Sequence, residues 1–123
     1  MPAPCAGDHA RERLGDLAVV LAGFSFGAFV AARLAKRVSP ERMVLVGPAV
    51  GRFDVDAVPA DTIVIHGEED DVVPLADVLA WARPQELPVV VFPGCGHFFH
   101  GRLPQLARVV TGAWRRHPPP PGA

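Results

Sequence analysis

The chain is short of cysteine, of lysine, of net charge and of long apolar runs, and each shortage removes a class of function. Its two cysteines, Cys5 and Cys95, lie far apart in sequence and suggest neither a metal-ligand pair nor a redox pair. Twelve Lys/Arg nearly balance thirteen Asp/Glu, for a formal net charge of −1, so there is no electrostatic footprint for nucleic acid or for a membrane surface. Lys36 is the only lysine, a bias that fits the base composition of a gene better than a functional demand. Arg33, Lys36 and Arg37 interrupt the most apolar region, so no run approaches the length of a membrane span. The opening "MPAPCAGDHARERLGD" has no apolar signal core, and the expectation is a reducing cytoplasmic setting.

What remains is a soluble globular composition, 50% hydrophobic over 123 residues, enough for one domain with a core but small for a complete enzyme. Residues 1–16 read as a poorly ordered or short helical start, 17–116 as the folded domain, and 117–123, "HPPPPGA", as a disordered polyproline exit. A ligand role for that tail toward SH3-like domains is the weaker of its two readings. Within the domain, "LAVVLAG" (17–23), "RMVLVGP" (42–48), "DTIVIHG" (61–67) and "LPVVVFPG" (87–94) are continuous apolar runs of the kind expected for buried strands. Between the first two, Phe26, Phe29, Val30 and Leu34 recur at helical spacing, with cations towards the end and "SP" as the stop. The segment 49–60 reads as loop and "PLADVLAWA" (74–82) as a short amphipathic helix. Leu103, Leu106, Val109, Val110, Ala113 and Trp114 mark one face of a final helix. Strands alternating with helices predict an α/β fold: a parallel sheet of about four strands with flanking helices and right-handed crossovers.

In such sheets, chemistry gathers in the loops beyond the carboxyl ends of the strands, and three of those loops carry notable residues. The first is Gly23-Phe24-Ser25-Phe26-Gly27, a GxSxG match between a strand and a helix. A serine there must sit on a sharp turn with unfavourable backbone angles, and glycines two residues to either side leave room for strand and helix to approach. The blander reading is a tight βα turn with an incidental serine. The second loop, His66 to Pro74, offers Glu68, Glu69, Asp70 and Asp71, any of which could orient a basic histidine or simply cap the next helix. His66 itself reads as a hydrogen-bonded structural residue. The third, Gly94-Cys95-Gly96-His97-Phe98-Phe99-His100, has glycines that let it double back over the sheet, with Phe98 and Phe99 as core anchors. Alone, His97 fits a base or a satisfied structural histidine equally well; His100 reads as structural.

The order Ser, Asp, His, each after a separate parallel strand, is that of the α/β-hydrolase triad. The motifs "GFSFGAFVA", "HGEEDDVVP" and "FPGCGHFFHGRL" make the chain, from about Leu17 to Trp114, resemble the C-terminal half of an α/β-hydrolase. More narrowly, it resembles small bacterial predicted hydrolases of the dienelactone-hydrolase-like group. The resemblance implies Ser25 as nucleophile, Asp70 as acid and His97 as base. It also implies the backbone N–H of Phe26 as an oxyanion donor, and no metal or organic cofactor. The HGxxDxxVP pattern favours Asp70, with Asp71 an open alternative and Asp54 and Asp56, after the second strand, a lesser one. The expected activity is a carboxylesterase-like serine hydrolase acting on an ester or thioester of a small acyl compound. Its rival is a truncated, catalytically silent half that survives as a binding or assembly module. An acyltransferase would need an acceptor site that the sequence does not show.

The resemblance also sets expectations about what is not in the sequence. In that family the nucleophile strand is the fifth of eight, and the second oxyanion donor comes from the loop after the third. The opening residues do not resemble that region. A strand central in the complete fold would here be an edge with unpaired backbone groups, so homodimer formation through residues 17–23, or poor solubility, is expected.

Overall fold

A computed structural model of the chain describes residues 20–116, with only the backbone course of 113–116. The segment 1–16, expected to be poorly ordered or short helical, and the segment 117–123, expected to be disordered, lie outside the described residues, as do Leu17, Ala18 and Val19 of the first apolar run.

Four strands form: β1 (Val20–Phe24), β2 (Arg42–Val46), β3 (Ile63–Gly67) and β4 (Val89–Phe92). All pair in parallel, in the spatial order β1-β2-β3-β4. Among the described residues three α-helices occupy the connections and the C-terminal side: α1 (Phe26–Val38), α2 (Leu75–Ala82) and α3 (Leu103–Arg116). The expected α/β architecture is thus present. β2, β3 and β4 are shorter than the apolar runs that announce them, for local reasons. Gly47 turns the chain at φ 56° directly after Val46, and Thr62 N–H is taken by Pro59 in a turn before β3. Pro88 has no N–H to give a ladder, and β4 starts after it.

The central strands are buried on both sides: Met43, Val44 and Leu45 in β2, and Val64, Ile65 and His66 in β3. On one face, Met43, Leu45 and Val64 pack with Ala28, Ala31, Ala32 and Ala35 of α1 and Val78 and Ala82 of α2. On the other, Ile65 and Phe92 pack with Cys95 and Phe99, and Leu106, Val109 and Val110 of α3 close that layer. The domain is therefore three layers deep around one sheet.

The buried face of α1 corrects the sequence expectation. Of the larger apolar residues at helical spacing, Phe26 is 52% and Val30 47% exposed and Phe29 and Leu34 are only half-buried, while Ala28 and Ala32 are fully buried. Alanine lets the helix axis approach the strands closely, so the short side chains face inward and the large ones outward. In α3 the expected face holds for Leu106, Val109 and Val110, but Leu103 is 60% exposed. The side chains of Ala113 and Trp114 lie outside the described residues. No helix among the described residues is long and apolar enough to cross a membrane.

Register fixes where the loops begin. Phe24 lies opposite Val46, Val46 opposite Ile65, and Gly67 opposite Phe92. The loops after β1, β3 and β4 therefore leave from one rim of the sheet. The close helix contact predicts that Ala32→Leu destabilises by about 1–3 kcal/mol through overpacking. Val30→Ala should stay within ~0.5 kcal/mol. Urea unfolding of both variants checks this; a reversed order would put the wrong face of α1 against the sheet.

Candidate active site

Ser25 joins β1 to α1 with no spacer, and its backbone shows how. It sits at φ 56° and ψ −116°, a region that costs a non-glycine residue roughly 1–3 kcal/mol. The strain is held by neighbours on both sides of the peptide. Ser25 N–H donates to the Val46 carbonyl at the end of β2 (3.0 Å), and the Ser25 carbonyl accepts from Ala28 (3.1 Å) and Ala49 (3.3 Å). As the residue just before the first helical turn, Ser25 carries its hydroxyl beside N–H groups that have no intrahelical acceptor, that of Phe26 among them.

The two glycines of the turn are not equivalent. A Cβ on Gly23 would collide with the Gly27 carbonyl and come within 2.7 Å of the Ala28 backbone, so strand and helix touch there. A Cβ on Gly27 would meet nothing within 4 Å. The sequence expectation that both make room is thus right for Gly23 and wrong for Gly27. Gly67, at the end of β3, plays the role expected of the second: a Cβ there would strike the Cys95 carbonyl and lie 2.8 Å from that of Gly96. This contact presses the loops after β3 and β4 together. Glu68 adds a second tie, its Oε1 accepting the Gly94 N–H at 2.8 Å.

Asp70 stands where those loops meet, and it is buried. Its Oδ1 accepts the backbone N–H groups of Val72 (2.9 Å) and Val73 (2.7 Å). Its Oδ2 accepts from His97 Nδ1 at 2.6 Å. Because both carboxylate partners must be donors, the proton of neutral His97 is on Nδ1, and Nε2 is free to accept. At 3.0 Å from Nε2 is the Ser25 hydroxyl. A serine, an imidazole and a carboxylate separated by up to 72 positions are joined in one chain of hydrogen bonds.

The other candidates are elsewhere. Asp71 and Glu69 are exposed, and neither caps α2, which follows Pro74 with no side-chain cap. Asp54 is exposed, and Asp56 is ion-paired with Arg33 and Lys36 at 3.5 Å each. His100 is exposed, its ring 6.2 Å from that of Phe98. Only half of the expected pair of core anchors is one: Phe99 is buried against Phe92, whereas Phe98 is 59% exposed and lies edge-on to the His97 ring at 5.0 Å.

Two contributors escaped the sequence reading. His66 is hydrogen-bonded, as expected, donating from Nε2 to the Val73 carbonyl at 2.7 Å, but the same nitrogen lies 3.3 Å from Asp70 Oδ2. It therefore borders the carboxylate, with its buried Nδ1 unpartnered among the described residues. Gly47 lies under the His97 ring, 3.4 Å from Cε1 to the position of a Cβ, at a φ that disfavours any other residue. A glycine directly after a strand run was the signal for it.

No family model matches the chain, and no curated protein does. Solved structures do. An α/β serine hydrolase without a lid from Xanthomonas campestris is 32% identical, with a TM-score of 0.84 over 92% of this chain and 54% of its own. A second X. campestris protein, assigned to the α/β hydrolase superfamily, is 27% identical with a TM-score of 0.74, covering 90% of this chain and 65% of its own. An α/β serine hydrolase homologue from Coxiella burnetii is 27% identical with a TM-score of 0.70, covering 91% and 62%. This chain thus spans between about half and two thirds of the length of these three structures.

The asymmetry of the turn is testable by substitution. Gly23→Ala should lose at least ~3 kcal/mol, because backbone rather than a flexible side chain is in the way. Gly27→Ala should be neutral or gain about 0.5–1 kcal/mol from helix propensity. Equal effects in urea unfolding would contradict the packing described.

Proposed function

The chain has the α/β-hydrolase fold, and from that premise we propose that it is a serine hydrolase of the carboxylesterase type, cleaving an ester or thioester of a small acyl compound. The observation that carries this reading is the pair of hydrogen bonds through His97, 3.0 Å to Ser25 Oγ and 2.6 Å to Asp70 Oδ2. Ser25 Oγ attacks the substrate carbonyl while His97 Nε2 takes its proton. Asp70 holds the ring with Nε2 facing the serine and stabilises the imidazolium that forms. Negative charge on the carbonyl oxygen is met by the Phe26 N–H at the start of α1. His97 then protonates the leaving alcohol or thiol, and water, deprotonated by the same nitrogen, releases the acid from Ser25.

Family resemblance draws the second oxyanion donor from a loop that is not among the described residues, and one donor is worth about 10²–10³ in turnover. Covalent labelling is therefore a better first test than turnover. A fluorophosphonate probe should label the wild type on Ser25 and leave Ser25→Ala unlabelled. Asp70→Asn, which permits the wrong imidazole tautomer, should slow labelling by up to ~10⁴-fold. No labelling of a folded sample would favour the rival reading, a silent half acting in binding or assembly, for which the short span relative to the matched structures speaks.

The proposal extends to a cytoplasmic, self-associating protein. Among the described strands β1 pairs with β2 alone, and Val20 is 49% exposed. Such an edge invites a second copy. Sedimentation velocity should show a dimer that Val20→Lys returns to monomer; a wild-type monomer at all concentrations would overturn this part.

A further inference from the structure

The chain has seven phenylalanines, and the fold divides them unevenly. Phe92 and Phe99 are in the core. The other five form two groups, one against the His97 ring and one built on Phe26, the residue after Ser25. Phe24 and Phe98 flank the imidazole, with centroids 5.1 and 5.0 Å from it and 6.1 Å from each other. Phe26, Phe29 and Phe53 form a second group, with centroids 5.0 to 5.7 Å apart. Ser25 is bonded in sequence to a member of each.

Four of the five are substantially open to solvent: Phe24 43%, Phe26 52%, Phe53 41% and Phe98 59%. Exposed aliphatic residues scattered singly need no explanation, but contiguous exposed aromatics mark a surface that binds. The phenyl rings carry no donor or acceptor, so they cannot replace the water lost from a charged or strongly polar ligand. The one cation over them is already engaged: Arg33 sits 4.9 Å above Phe29 and pairs with Asp56.

We propose that these two aromatic groups are the walls of an apolar subsite on either side of Ser25, fitted to an ester or thioester bearing an alkyl chain or aromatic ring rather than a charged group. The inference rests on Ser25 being the nucleophile and adds the substrate class. Phe26 serves twice, its N–H towards the oxyanion and its ring towards the hydrocarbon. Phe98, set by the same turn that buries Phe99, gives the His97 side its wall.

Labelling rates with ethylphosphonofluoridate and octylphosphonofluoridate monoesters test the subsite. Serine phosphonylation forms the Oγ–P bond, expels fluoride and passes the hydroxyl proton to His97, so both reagents report on one step. The octyl reagent should label Ser25 at least about tenfold faster, from the extra apolar contact. That ratio should fall towards one in Phe53→Ala and Phe98→Ala, whose residues lie in loops and leave the core intact. Leu79→Ala, on the exposed side of α2, should keep it. Labelling of Ser25 with equal rates for both reagents would overturn the subsite and leave the nucleophile standing. No labelling by either would remove both. Equal rates together with a dimer that the phenylalanine variants dissociate would assign the aromatic cluster to contact between copies and likewise overturn the proposal.

Discussion

The site depends on one buried carboxylate. Withdrawing Asp70 from water costs several kcal/mol unless its oxygens are fully engaged, and here they are. One oxygen takes two backbone N–H groups of its own loop, and the other takes the imidazole from the loop after β4. The carboxylate can stay buried only while Val72, Val73 and His97 are all in position, so local turn, inter-loop contact and ring orientation rise or fall together. His66 stands behind this arrangement, fixed by the Val73 carbonyl and close to the shared oxygen. The mutual dependence also explains why Asp70 and not Asp71 meets His97: the neighbouring side chain is exposed.

Close approach is the second constraint, and it is supplied by the smallest residues. Gly23 lets the end of β1 touch the start of α1, the alanines of α1 let the helix lie against the sheet, and Gly67 lets the β3 and β4 loops meet. Each contact shortens a path that would otherwise separate Ser25 from His97. The strained backbone of Ser25 persists because β2 holds it from the side, through the Val46 carbonyl and the Ala49 N–H. A parallel register that ends β1 and β2 together, and β3 and β4 together two residues further on, is thus what turns local turn chemistry into a shared site.

Much of this was legible in the sequence. Buried parallel strands are continuous apolar runs, and the Gly-Phe-Ser-Phe-Gly turn, the acidic loop and the Gly-Cys-Gly-His loop each follow one. The loops that hold Ser25 and His97 could be read from the residues themselves, whereas Asp70 was separated from Asp71 only by the resemblance to the α/β-hydrolase motif; the hydrogen bonds join these three. What periodicity could not give is which side of an element faces inward when both sides are apolar. In α1, size misled: the helix presents Ala28, Ala31 and Ala32 to the sheet and sends Phe26 and Val30 outward. Phe98 and Phe99 pose the same problem in a loop, where the positive φ of Phe99 decides which ring enters the core. Nor could sequence alone separate the two glycines flanking Ser25, since their difference is a matter of which backbone stands 3 Å away.

These misreadings share a cause, and it bears on function. Reading apolar residues as core assumes that burial is the only use for hydrocarbon. In this chain α1 meets the sheet through Ala28, Ala31, Ala32 and Ala35, while Phe24, Phe26, Phe53 and Phe98 stand exposed, Phe24 and Phe98 against the His97 ring. Holding four large rings in partial contact with water forgoes the stabilisation their burial would bring. An arrangement that spends apolar surface beside Ser25 and His97, while economising on it beneath α1, is better explained by what must be bound at the rim than by what must be packed below it.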